Sequence, residues 1–117
     1  MDSNILVNLA AEACDDKKAK DIHLIKINNV SSISDWILIT EGLSEVQVKS
    51  IIKSVETKIL NQAKLSPIRK EGIDQGKWAL LDYGDVIVNV FLSETRKFYD
   101  LESFWGNGES KKYIGQI

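Results

Sequence analysis

The chain is poor in the residues that usually carry metal and redox chemistry: among 117 residues there is one cysteine, Cys14, and one histidine, His23. A lone cysteine excludes an internal disulfide and any cysteine-rich metal site. A centre built on these two residues competes with simpler readings, Cys14 as a small apolar residue on a helix and His23 as part of a strand. No metal site and no cofactor is therefore expected. Long apolar runs are missing too, and the N-terminus lacks a charged segment followed by an apolar one, so a soluble, cytoplasmic protein without membrane contact is expected. Neither sign of charge dominates: 15 Lys and Arg stand against 17 Asp and Glu, a formal net charge of −2. No overall basic field would draw the chain to RNA, which argues against strong direct nucleic-acid binding. Internal repeats and low-complexity segments are absent.

What is present is a 44% apolar chain, enough for one domain with a modest core. Ile5, Leu6, Leu9, Ala10 and Ala13 recur at helical spacing and predict a helix over 3–15. Strands are predicted over 21–27 and 33–40. Ser44 and Gln47 form a capping-box pair opening a long helix, whose apolar stripe runs through Val48, Ile51, Ile52, Val55 and Ile59 to Ala63. Pro67 bounds that helix, because the residue before a proline is pushed out of helical geometry. A short strand over 68–72 follows. Ser93 is read as the N-cap of a last helix, with Phe98, Leu101 and Trp105 on one face and Gly106, Asn107 and Gly108 as its stop. The domain is expected over 1–106, with 107–117 as a flexible C-terminal tail.

The stretch from Lys77 to Trp105 carries the most information. Trp78 to Tyr83, Gly84-Asp85 and Val86 to Leu92 read as a hairpin with a two-residue loop, in which Gly84 supplies a positive φ. Pairing Tyr83 with Val86 sorts the side chains by face. Ala79, Leu81, Tyr83, Val86, Val88 and Val90 form the apolar core face. Trp78, Leu80, Asp82, Ile87, Asn89 and Phe91 form the other, whose mixture of large rings with Asp82 and Asn89 suits a surface covered only part of the time. A second helical layer over that face is the alternative.

The run W-A-L-L-D-Y-G-D-V-I-V-N-V-F, followed by R-K-F-Y-D-L-E-S-F-W, resembles the Iojap-like ribosomal silencing factors of bacteria and organelles. The resemblance extends upstream through Lys18 to Ile22, Ser34-Asp35-Trp36, Thr40 to Ser44 and Glu71-Gly72. One position departs from it: the family usually has His within V-H-V-F, where this chain has Asn89. Asn can donate and accept a hydrogen bond but cannot titrate. The element order α-β-β-α-β-β-β-α gives an α/β fold, a mixed sheet of about five strands with helices mostly on one side. It agrees with the nucleotidyltransferase-like fold that the resemblance implies.

Such a fold invites a metal-dependent nucleotidyl- or phosphoryl-transfer reading. Gly42-Leu43-Ser44 offers the glycine-serine turn before a helix. The paired carboxylates that would hold a divalent metal are missing, since Asp82 and Asp85 straddle a turn and no D-x-D follows the long helix. Gly42 and Ser44 are therefore read as turn and cap, and no catalytic residue is assigned. The resemblance implies instead a non-enzymatic translation repressor. It would bind the large ribosomal subunit through large-subunit ribosomal protein fourteen, at the face where the small subunit joins, and block joining. Trp78, Leu80 and Phe91 are the candidate anchors, and Asp82, Asp85, Asp100 and Glu102 the candidate rim charges toward a basic partner. Pairing of two copies as a homodimer through the same face stays open.

Overall fold

The computed structural model describes residues 2–28, 33–100, 103 and 109–114. Its elements run α1 (Ser3–Asp16), β1 (Lys20–Lys26), β2 (Trp36–Gly42), α2 (Glu45–Ala63), β3 (Arg69–Glu71), β4 (Trp78–Asp82), β5 (Val86–Leu92), α3 (Ser93–Tyr99) and β6 (Glu109–Lys112). The strands form one mixed sheet in the order β3-β4-β5-β2-β1-β6. Among the described strands β2 and β5 run parallel, connected through α2, β3 and β4; the other neighbours are antiparallel. Among the described residues the mixed sheet has six strands, the expected five and a short one at its edge. Residues 109–112, assigned to the tail by sequence, pair with His23 to Lys26 of β1.

α1 and α2 lie together on one face. The α2 stripe buries Val48, Ile51, Ile52, Val55 and Ile59 as predicted. Its start is fixed by Ser44 Oγ, which accepts from the Gln47 amide at 3.1 Å. The return bond differs from a standard capping box: Gln47 Oε1 accepts from the amide of Leu43 at 2.7 Å, one residue further out. Gln47 Nε2 also donates to the carbonyls of Lys17 and Lys18, tying α2 to the end of α1. In α1 the buried side is rotated from the predicted one. Leu6, Val7, Ala10, Ala11, Ala13 and Cys14 are inside, while Ile5 is exposed. Burial pushes the Cys14 thiol well above its ordinary range, consistent with an inert apolar role.

The hairpin register is the predicted one, with Trp78 opposite Phe91, Leu81 opposite Val88 and a Tyr83 amide bond to the Val86 carbonyl. Gly84 sits at φ +87°, in the region glycine occupies without strain. Ala79, Leu81, Tyr83, Val86, Val88 and Val90 all enter the core beneath α1 and α2. The opposite face is also covered: Ile25, Ile27, Ile37, Ile39, Ile87 and Phe91 form a second buried cluster, with Trp78 and Leu80 packed at its margin. This explains why β2 and β5 read as near-continuous apolar runs, a pattern that strands buried on both faces produce.

α3 begins at Ser93, but its N-cap is Leu92 without a side-chain bond. It ends at Tyr99 because Asp100 adopts left-handed geometry at φ 45°, before the expected stop. Leu101, Trp105 and the Gly106 to Gly108 stop lie outside the described residues.

A candidate docking surface on the hairpin and the last helix

Four aromatic rings form a ladder that climbs from the second buried cluster to solvent. Phe91 in β5 is fully buried and stacks on Trp78 in β4, ring centroids 4.9 Å apart. Trp78 meets Tyr99 of α3 at 4.8 Å, and Tyr99 meets Phe98 edge-on at 5.1 Å. Exposure rises along the ladder until Phe98, 82% exposed, projects into water. Gln75, Lys77, Glu94 and Thr95 complete an open groove of about 460 Å³ around Trp78, Phe98 and Tyr99. A large apolar ring left at that exposure beside other rings is apolar surface available for contact.

Trp78 is held in orientation as well as position. Its indole Nε1 donates to Asn89 Oδ1 at 3.0 Å, and buried Asn89 also reaches toward the Leu38 carbonyl at 3.5 Å. Asn89 is thus a polar anchor beneath the ladder, in the position where the resemblance leads one to expect His.

The sequence-predicted site residues divide into groups. Trp78, Leu80 and Phe91 come together at one end of the hairpin. Phe91 is inaccessible, so it supports the surface from below instead of forming part of it. Asp82 and Asp85 lie toward the hairpin tip. The Asp82 carboxylate is engaged there, accepting from the Gly84 amide at 2.8 Å and facing Arg69 at 3.8 Å. Asp85 is exposed, while its carbonyl accepts from the amides of Asp35 and Trp36. Asp100 is exposed directly after Tyr99 and accepts from the Ser103 hydroxyl at 2.7 Å. Glu102 lies outside the described residues.

Phe98, which spacing groups with Leu101 and Trp105 on one face of the last helix, is the most exposed member of the ladder. Its neighbour Tyr99, the last residue of α3, joins the site without a place in the predicted one. Helical spacing alone carries no signal for either: adjacent residues point about 100° apart, and a pair so placed can be wholly buried, as Ile51 and Ile52 of α2 are, or left outside.

Residues that would serve nucleotide or metal chemistry are committed elsewhere. Gly42 belongs to β2, and a Cβ there would sit 3.2 Å from both the amide nitrogen and a methyl of Val48, so its smallness serves the approach of α2. Glu41 is paired with Arg96 at 3.1 Å. Among the described residues, no group of three or more His, Cys, Asp and Glu side chains converges. Among the same residues, no helix is long and apolar enough to cross a membrane.

Comparison with known proteins agrees over nearly the whole length. The family described as "Ribosomal silencing factor during starvation" matches residues 1–116. A ribosomal silencing factor RsfS from Halalkalibacterium halodurans is 37% identical over 117 residues, spanning 100% of this chain and 99% of the relative. The chloroplast protein Iojap of maize is 31% identical over 97 residues, 83% of this chain but 42% of that protein. A crystal structure from Chromobacterium violaceum superposes with a TM-score of 0.87 at 35% identity, covering 98% of this chain and 95% of that one.

Proposed function

We propose, for a chain that belongs to the ribosomal silencing factor family, that it silences ribosomes by docking on the large subunit and occupying the space the small subunit needs. The partner in this reading is large-subunit ribosomal protein fourteen, and no bond is made or broken. The observation that carries it is the solvent-exposed end of the aromatic ladder, Phe98 and Tyr99 on α3 with Trp78 behind them. A pre-positioned aromatic cluster loses little side-chain freedom on binding, so more of its burial appears as affinity. Trp78, Leu80, Tyr99 and Phe98 are the proposed contact residues, and Asp100 the proposed rim charge nearest to them. Asp85 is a rim candidate at the opposite end of the hairpin. Phe91 and Asp82 act from beneath, one as packing and one as a brace of the turn.

The experiment is co-sedimentation with purified large subunits, followed by addition of small subunits. The expected result is that the protein pellets with large subunits and that fewer joined particles form. Failure to pellet, or joining at the undisturbed rate with the protein bound, would defeat the proposal.

A further inference from the structure

α3 is seven residues long and leaves Phe98 and Tyr99 exposed, so apolar burial alone does little to fix its roll against the sheet. Polar bonds supply what packing does not. Arg96 is buried, and its Nη1 donates to Glu41 Oε1 at 3.1 Å and to the Asp21 carbonyl at 2.8 Å. Ser93, one turn earlier, donates its hydroxyl to Glu41 Oε2 and lies 3.2 Å from the Gly42 carbonyl. A single carboxylate at the end of β2 therefore grips α3 at two points three residues apart. Those points lie on one side of the helix, so together they set its axial position and its roll. The consequence for Phe98 follows from helix geometry: two residues beyond Arg96 it points about 200° away, outward when Arg96 points in. Against an apolar replacement such a pair adds little net stability, but removing one partner leaves the other charge buried and poorly compensated.

We propose that Glu41 is the positioning residue of the docking surface, holding α3 through Ser93 and Arg96 so that Phe98 and Tyr99 stand in binding orientation beside Trp78. This rests on the docking reading above. It assigns Glu41 a role that acts through α3.

The test combines hydrogen exchange with binding to purified large subunits, for the wild-type protein, Glu41→Ala, Phe98→Ala and the double variant. In Glu41→Ala, amides of α3 should exchange about tenfold faster or more while those of β5 keep their protection, as expected for a local opening. Binding should weaken about tenfold or more in each single variant, and the double variant should bind no worse than Glu41→Ala within about threefold, because Glu41→Ala already displaces Phe98 together with Tyr99. A general loss of stability would not produce that non-additivity. Multiplying losses, or unchanged α3 exchange, would overturn the proposal. Should Glu41→Ala expose β5 as well, Ser93→Ala decides: it removes one tether without stranding the Arg96 charge. Faster α3 exchange with weaker binding supports the role, and no change in either defeats it. If Phe98→Ala binds like the wild type, the docking reading falls and the positioning role with it. If Phe98→Ala loses binding while Glu41→Ala keeps it, the positioning role alone falls.

Discussion

The indole of Trp78 and the side-chain amide of Asn89 form a hydrogen bond of 3.0 Å across the diagonal of the β4 and β5 pair. The acceptor is buried, so the bond fixes the ring that links the hidden half of the aromatic ladder to the exposed half. Removing it leaves an indole N–H without its partner, a loss of about 1–3 kcal/mol where the donor is shielded from water.

Asn89→Leu should therefore lower stability by about 1–2 kcal/mol in denaturant titration and weaken large-subunit binding. Asn89→His is predicted to behave differently. A neutral imidazole can accept from Trp78 with one nitrogen and donate toward Leu38 with the other. Binding should stay within about threefold of wild type at pH 7.5 and fall away below about pH 6. The sign follows from linkage: burial and the indole donor disfavour the protonated ring, so its stabilisation is present above the unfolded value and lost as pH falls. Binding of Asn89→His that is flat from pH 7.5 to 5.5 would show that the Trp78 bond does not matter for docking.

Phe98→Ala and Trp78→Ala should separate docking from folding. Phe98 is exposed and touches Tyr99 edge-on, so its loss should change stability by no more than about 0.5 kcal/mol. Affinity for the large subunit should nevertheless fall about tenfold or more. Trp78→Ala removes contacts with both Phe91 and Tyr99 and should cost about 2–4 kcal/mol of stability in addition to binding. Melting curves beside sedimentation assays make the comparison. Equal stability losses for the two would mean that Phe98 is packed in solution.

The hairpin was legible because its two-residue loop leaves one register, and Gly84 marked where the chain had to turn. The α2 stripe was legible because β-branched residues at helical spacing have one orientation that buries them. α1 was not, since Ile5, Leu9, Val7 and Ala11 offer two overlapping apolar faces and the tertiary fit to α2 chose the second. The burial of Phe91 was hidden for a related reason: alternation assigns residues to faces but does not say whether a face is covered. β6 carries Glu109, Ser110, Lys111 and Lys112, and an edge strand of charged residues has no apolar rhythm to detect. The inward turn of Arg96 depends on Glu41, which is 55 residues away in the chain, so no local pattern could announce it.

Tyr83 offers a test of the core itself. Its hydroxyl is buried and finds no hydrogen-bond partner among the described residues. Burial, reinforced by the charge of Glu56, pushes its phenol well above the ordinary range. The unfolded chain then loses this proton first as pH rises past about 10, so stability declines with pH there. Tyr83→Phe should be neutral or stabilising by up to about 1 kcal/mol at pH 7. It should also flatten the fall in stability between about pH 10 and 11 measured by denaturant titration. A marked loss of stability at neutral pH would reveal a bond to this hydroxyl.

The acidic residues make a sharper prediction once the fold separates them. Asp82 braces the turn through Gly84 and Arg69, so Asp82→Ala should cost about 1 kcal/mol of stability and leave association nearly unchanged. Asp100 follows Tyr99 directly, and because it adopts left-handed geometry, Asp100→Asn removes the charge while keeping a side chain that tolerates that backbone. If a basic partner meets the ladder, Asp100→Asn should slow association severalfold at low salt and much less at physiological ionic strength, with little effect on release. Asp85 sits beyond the start of β5, and six residues of strand place it about 20 Å from the level of Phe91 and Trp78. Asp85→Asn should therefore slow association less than Asp100→Asn does. Stopped-flow association at two salt concentrations measures both. Equal slowing by the two variants would mean that the partner covers the whole hairpin to its tip, and the contact surface would then have to include the turn that Asp82 holds.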